Sequence, residues 1–170
     1  CAIFDAKAQL VAQAEHVPVH LGSMLRAVGP TLARLDALQE GDVVVVTVNH
    51  RLNAFGYLYL GESGDERLRD AGNVGQLDLI DALRWVREHA HEFGGDAGNV
   101  TVFGQSGGGA KIATLMAMPE ADGLFHRAMT MSGQQVTAAG PRAAAQRTAL
   151  FLAELGLGPR DTAALLAMPM

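Results

Sequence analysis

The sequence predicts an α/β protein: a parallel sheet with crossover helices, preceded by a short β-hairpin and helix segment. From residue 42 onward, strand patterns and helix patterns alternate, which is typical of parallel sheets with right-handed crossovers. Residues 43–48 form a continuous run rich in β-branched side chains, which favours a strand buried on both faces. The third observation is the sequence Gly104-Gln-Ser-Gly-Gly108, which lies between a strand pattern and a helix pattern.

The first forty residues predict a hairpin followed by a helix. Cys1–Asp5 and Gln9–Gln13 have the alternation of two short strands. Apolar residues then recur at helical spacing from Leu21 to Leu38. Gly29-Pro30 interrupts this period, so we expect a kinked or divided helix.

The clearest helix begins at Asn73, where Gln76 is spaced for a capping box. Its apolar stripe runs from Leu77 to Ala90, and Gly94-Gly95 ends it. Further segments continue the alternation: a strand at 99–103, a helix at 109–118, a strand at 127–131, a helix from Pro141 to Gly156 and a helical segment from Asp161. Four methionines are predicted to fill the core of this region: Met116, Met118, Met129 and Met131.

Composition and charge argue against several classes of function. The formal net charge is −5 and there is no cluster of Lys and Arg, so we expect no nucleic-acid partner. No apolar run, including Val43–Val46, is long enough to cross a bilayer, so we expect no membrane partner. The single cysteine, Cys1, and the absence of a signal-peptide pattern favour a cytoplasmic location. The chain has no initiator methionine, and we expect a piece of a longer protein.

The segment Gly104–Gly108 carries the strongest chemical signal. A strand, G-x-S-x-G and a helix in that order form the arrangement called a nucleophile elbow. Glycines beside the serine lack a Cβ, so the backbone can take a strained turn and the strand can pack closely on the helix. We expect the Ser106 hydroxyl beside a helix amino terminus, where backbone N–H groups favour developing negative charge. The alternative interpretation is a flexible loop of glycine and serine.

Several blocks follow one another from about Gly41 to the end: Gly41–Leu52, Phe55-Gly56, Gly72–Gly75, Asp78, Ala82–Val86, Phe93–Asp96, Val102–Gly108, Leu124–Ala128 and Ser132-Gly133. In order and spacing they resemble the type B carboxylesterase family, which has the α/β-hydrolase fold. Gln105 stands where that family usually has glutamate, and Gly107 where it usually has alanine. The resemblance implies a partial α/β-hydrolase fold and a carboxylic ester hydrolase with a small-molecule ester substrate and no cofactor.

The resemblance also implies an acyl-enzyme mechanism, with Ser106 as the nucleophile and the Gly107 backbone N–H as an oxyanion donor. The serine needs a histidine base oriented by a carboxylate, and in this fold both come later in the chain. The only later histidine, His126, has no acid before it in the expected place, so we interpret it as a packing or surface histidine. We therefore expect a fragment that lacks the acid and the histidine of the triad. The family's second oxyanion loop is reduced here to His20-Leu-Gly-Ser23.

The first forty residues carry different motifs: Ala2–Asp5, Leu10–His16 and Val17–Met24. They resemble the amino-terminal part of the B subunit of hydantoinase/oxoprolinase-type enzymes. We therefore interpret the chain as a chimera of a hydantoinase B-like segment, 1–41, and a partial α/β-hydrolase domain, 42–170. His16 and His20 have a spacing that suggests a metal pair. Because Pro18 forbids a regular helix between them and no third ligand is apparent, we expect no metal site.

Three functions are compatible with these observations. The first is a carboxylic ester hydrolase that acts through Ser106. The second is a catalytically inactive fragment or interaction module, because the base and the acid are missing. The third is a piece of an amidohydrolase of the hydantoinase/oxoprolinase type, which rests on residues 1–41 alone. The sequence indicates no oligomeric state.

Overall fold

The computed structural model describes residues 2–4, 10–13, 43–134 and 137–168. The chain divides into two units, one made of residues 1–49 with 92–95 and the other of residues 50–91 with 96–170. In the first unit, Ala2–Phe4 (β1) pairs antiparallel with Leu10–Gln13 (β2). The predicted hairpin strands are therefore confirmed. The predicted helix at 21–38 and the pair His16 and His20 lie outside the described residues.

The second unit alternates helices and strands. Its elements are α1 (Asn53–Tyr57), α2 (Val74–His89), β3 (Thr101–Gln105), α3 (Gly107–Leu115), β4 (Arg127–Met131), α4 (Pro141–Glu154) and α5 (Thr162–Leu166). Short 3₁₀ turns occur at Glu66–Leu68, Ala71–Asn73, Ala90–Phe93 and Pro119–Ala121. β3 and β4 pair in parallel, from Thr101 opposite Arg127 to Gln105 opposite Met131. A parallel pair with a helix between its strands confirms the predicted crossover arrangement.

The predicted strand at 43–48 is wrong. Residues 43–52 form neither strand nor helix, and Val43 is 80% exposed. A β-branched run becomes a buried strand only when neighbouring strands accept its hydrogen bonds and cover its side chains. Among the described strands, β1 pairs with β2 and β3 with β4, and none pairs with residues 43–48.

The strand predicted at 99–103 begins two residues later than expected. Asp96 starts a turn in which its backbone carbonyl accepts from Asn99 N at 3.0 Å. The Asp96 side chain also accepts from Gly98 N at 2.8 Å. These bonds hold residues 96–99 in a turn, so the extended backbone of β3 begins only at Thr101.

The hydrophobic core lies between α2, α3 and one face of β3. Ile80 and Leu83 of α2 pack with Ile112 and Leu115 of α3, and the partly buried Val102 of β3 packs against this cluster. Ile80 is only 1% exposed. The core therefore fixes α3, and with it the G-x-S-x-G segment at the amino end of that helix.

Two side-chain predictions are wrong. The Asn73 side chain makes no capping bond. The buried Gln76 side chain, which would form the other half of a capping box, instead donates through Nε2 to the Lys111 carbonyl at 2.9 Å. Of the four methionines, only Met118 packs against the core; Met116, Met129 and Met131 are exposed. Within the described part of the chain, no helix combines the length and the hydropathy needed to cross a membrane.

Candidate active site

Ser106 lies at a strained turn between β3 and α3. Its φ of 53° and ψ of −120° fall in a region that non-glycine residues rarely adopt. Ser106 N donates to the Met131 carbonyl at 2.8 Å, and the Ser106 carbonyl accepts from Ala110 N at 3.1 Å. The turn is therefore tied to both β4 and α3. The serine itself is exposed.

The glycines around Ser106 have different roles from those the motif suggested. A Cβ on Gly104 would overlap the backbone of Gly108, and a Cβ on Gly133 would overlap the Ser106 carbonyl. A Cβ on Gly108 would meet nothing within 4 Å. Close packing therefore depends on Gly104 and Gly133, whereas the strained backbone conformation belongs to Ser106.

Gly107 is the first residue of α3. The N–H groups in the first turn of a helix have no partner within that helix, and they lie at its positive end. The Gly107 N–H therefore lies directly after Ser106, in a position suited to an anionic oxygen.

A second serine with a left-handed backbone stands next to the elbow. Ser132, with φ of 54°, follows β4 directly, just as Ser106 follows β3. Its successor Gly133 packs against the Ser106 carbonyl. In the sequence, Ser132-Gly133 stands out only as part of a family block, and no local pattern predicts the positive φ of Ser132.

His126 has a structural role at the other end of the sheet. Its Nδ1 accepts from Val100 N at 3.1 Å, and its own N–H donates to the Val100 carbonyl at 2.8 Å. His126 precedes β4, whereas Met131, which contacts Ser106, is the last residue of that strand. The five residues of the strand place His126 about 17 Å from Met131, at about 3.3 Å per residue. His126 is exposed, which agrees with the interpretation of this residue as a packing or surface histidine. In the described ranges, the Ser106 side chain forms no hydrogen bond.

Arg51, which precedes α1, and Asp78 of α2 form an ion pair. Arg51 Nη2 donates to Asp78 Oδ1 at 2.5 Å, and Arg51 N donates to Asp78 Oδ2 at 2.9 Å. The side-chain bond from Arg51 holds the pKa of Asp78 below its usual value. Asp78 therefore has an ion-pair partner in Arg51, whose side chain is more than half exposed.

Lys111 joins a polar cluster with His50 and Tyr57. Lys111 Nζ donates to the Gly107 carbonyl at 3.4 Å and lies 5.3 Å from the centre of the Tyr57 ring. The His50 and Tyr57 rings meet edge to face, with centres 6.4 Å apart. His50 Nε2 and Tyr57 Oη are buried and have no hydrogen-bond partner among the described residues. Burial lowers the pKa of His50, and the charge of Lys111 lowers it further.

A surface cleft of about 370 Å³ lies at the carboxyl end of α3, against Leu115, Met118 and Phe125. Ser106 lies at the amino end of this nine-residue helix, about 13 Å away at 1.5 Å per residue. The cleft is therefore not next to Ser106. Among the residues that the structure describes, no group of three His, Cys, Asp or Glu side chains is placed to hold a metal ion.

A model of the carboxylesterase family matches residues 17–168. The chain is 50% identical over 118 residues to para-nitrobenzyl esterase of Bacillus subtilis, which covers 69% of this chain and 23% of that protein. It is 46% identical over 115 residues to human carboxylesterase 3, covering 68% of this chain and 19% of that protein. The chain therefore spans less than a quarter of the length of either relative.

The chain is also similar to solved structures of esterases. A carboxylesterase of Geobacillus stearothermophilus superposes with a TM-score of 0.72 and 47% identity, over 76% of this chain and 27% of that one. The juvenile hormone esterase of Manduca sexta superposes with a TM-score of 0.67 and 37% identity, over 76% of this chain and 25% of that one. The predicted fold class, part of an α/β-hydrolase fold, is confirmed. The chain belongs to the carboxylesterase family.

Proposed function

We propose that the chain carries the nucleophile of a carboxylic ester hydrolase, with Ser106 as the attacking residue and the Gly107 N–H as an oxyanion donor. The observation that carries the proposal is the backbone of Ser106, with φ of 53° in an otherwise regular strand-to-helix junction. Such strain costs about 1–3 kcal/mol and persists where the surrounding structure holds it. Here Met131, Ala110 and Gly133 hold it.

In the proposed reaction, Ser106 Oγ attacks the carbonyl carbon of the ester while its proton passes to a general base. The carbonyl electron pair moves onto oxygen, and the Gly107 N–H donates to this oxyanion. The intermediate then collapses: the bond to the alcohol breaks, and the alcohol takes the proton from the base. Water attacks the acyl-enzyme in the same way, which releases a carboxylic acid and returns the proton to Ser106.

The second candidate is a catalytically inactive fragment or interaction module. It is favoured by the position of His126, which is bonded to Val100 about 17 Å from the elbow. It is also favoured by Ser106 Oγ, which has no hydrogen bond to a histidine among the described residues. In this case the strained turn would be inherited from the fold and would not be used for chemistry.

The remaining assignments are proposals of narrower scope. The substrate is a small-molecule ester, with no cofactor and no nucleic-acid or membrane partner, and the location is cytoplasmic. The division into a hydantoinase B-like segment, 1–41, and a partial domain, 42–170, stays a prediction; the family match begins at residue 17, inside the first segment. DNA sequence read continuously across codons 36–46 would test whether one reading frame encodes both.

A fluorophosphonate probe tests the nucleophile. We expect covalent labelling of the wild-type chain and no labelling of Ser106→Ala. Ser132→Ala is a matched control, because it removes a hydroxyl from a neighbouring serine with a similarly strained backbone. It should be labelled like the wild type. A wild-type chain that is folded by circular dichroism but stays unlabelled would contradict the proposal and favour the inactive fragment.

A further inference from the structure

Lys111 is the only charged residue in the long segment that contains the elbow. Between Asp96 and Glu120 every other side chain is neutral, including Gln105 next to Ser106. The chain as a whole has a net charge of −5, so a lone cation here contrasts with the rest of the molecule. The charge at position 111 therefore dominates the charge of this segment.

Three contacts fix Lys111 beside the first turn of α3. The Lys111 carbonyl accepts from the buried Gln76 at 2.9 Å, which fixes its backbone. Its Nζ donates to the Gly107 carbonyl at 3.4 Å and lies 5.3 Å from the centre of the Tyr57 ring. Standard bond lengths then limit the distance from Nζ to the Ser106 Cα to about 10 Å.

No described carboxylate neutralises this ammonium group. The ion pairs of the described residues join arginines to acids, and none of them includes Lys111. Asp78 is the acid that acts on the neighbouring His50, and it is already held by three hydrogen bonds from the Arg51 side chain and one from the Arg51 backbone. The Tyr57 ring supports the cation without cancelling its charge.

We propose that Lys111 is a specificity-determining residue that favours esters carrying a carboxylate on the acyl chain. Because Nζ lies no farther than about 10 Å from the Ser106 Cα, a spacer of two to four methylene groups between the acyl carbon and the carboxylate is long enough to reach Nζ. This class consists of monoesters of short dicarboxylic acids. The inference rests on the proposed function, because it concerns a substrate bound at Ser106.

Hydrolysis of monomethyl glutarate and dimethyl glutarate measures the effect of charge at nearly constant shape. We expect Lys111→Met to lower the ratio of kcat/KM values, monoester over diester, by roughly fivefold to thirtyfold, because one partly buried ion pair is lost. Lys111→Arg should keep most of the ratio. Lys7→Met is a matched control, because it removes the only other lysine, with the same change in net charge. That variant should leave the ratio unchanged.

If Lys111→Met lowers kcat/KM equally for both esters, the inference is overturned, because Lys111 would then act on the reaction without regard to substrate charge. If no variant hydrolyses either ester, the proposed function fails for this chain, and binding decides the inference separately. For that purpose, Ser106→Ala is titrated with each ester while the amide resonances of Gly107 and Lys111 are followed. A preference for the monoester that disappears when Lys111→Met is added supports the inference; equal shifts with both esters overturn it.

Discussion

At the scale of single residues, backbone strain and close packing at the elbow belong to different residues. Ser106 carries the unfavourable backbone conformation, while Gly104 and Gly133 provide the space around it. A side chain at either glycine would push the backbone of a neighbouring element away. The strained serine is therefore held by packing from both sides and not by glycine flexibility at its own neighbours.

This separation predicts opposite effects for two alanine substitutions within the same motif. Gly104→Ala should lower the free energy of unfolding by about 1–3 kcal/mol, because its Cβ would overlap the Gly108 backbone. Gly108→Ala should leave stability unchanged or raise it by about 0.5–1 kcal/mol, because its Cβ meets no atom and alanine favours helix. Urea denaturation of both variants measures the difference.

Equal stability of the two variants would contradict the packing argument for Gly104. Fluorophosphonate labelling adds a second readout that does not depend on global stability. We expect slower labelling only in Gly104→Ala, since a shift of the α3 backbone moves Ser106 and the Gly107 N–H together.

At the scale of elements, polar bonds between distant segments set the position of α3. The Arg51–Asp78 pair joins the segment before α1 to α2, and Gln76 joins α2 to the Lys111 carbonyl of α3. His126 joins the start of β4 to the residue before β3. Two of the elements that these bonds join, α2 and α3, also contribute apolar side chains to the core, so the elbow is supported by both kinds of interaction.

The Arg51–Asp78 pair predicts a pH-dependent contribution to stability. The folded-state pKa of Asp78 is lowered from 3.8, so its contribution is fully present above that value and disappears as pH falls through the folded pKa. Asp78→Asn should cost about 1 kcal/mol near pH 7, because Arg51 is more than half exposed and its charge is partly screened. The cost should approach zero in strong acid. Urea denaturation of both proteins from pH 2 to 7 measures it.

Asp81→Asn is the matched control for this experiment. Asp81 pairs with Arg84 one turn away on the exposed side of α2, so its removal should cost less than about 0.5 kcal/mol at any pH. A cost for Asp78→Asn that stays constant between pH 2 and 7 would contradict the role given to its charge.

The sequence could predict those elements whose signals are local. The stripe of α2, the start of α4 at Pro141 and the elbow at Ser106 follow from periodicity and turn residues. The strand at 43–48 could not be predicted correctly, because a strand depends on a neighbour that a single segment does not reveal. Lys111 was missed for a similar reason, since its contacts with Tyr57 and Gln76 join parts far apart in the chain.

At the scale of the whole molecule, the described sheet of the second unit has an uncovered apolar face. Phe103 and Met129 lie opposite each other on β3 and β4, and they are 56% and 52% exposed. Met131 continues the same face and is also exposed. Parallel sheets are normally covered on both faces, and the chain spans less than a quarter of its relatives. An exposed apolar patch of this kind should bind apolar dyes and promote association.

The chain should therefore enhance the fluorescence of anilinonaphthalene sulfonate, and the sheet face should account for much of the signal. We expect the double variant Phe103→Thr with Met129→Thr to lower the enhancement about twofold, because the apolar patch loses its two opposed side chains. Threonine retains strand propensity, so β3 and β4 should remain paired. Leu150→Gln is the control, since it removes a 71% exposed apolar side chain from α4 without touching the sheet. A similar decrease in that control would show that dye binding reports exposed side chains in general and would contradict a specific role for the sheet face.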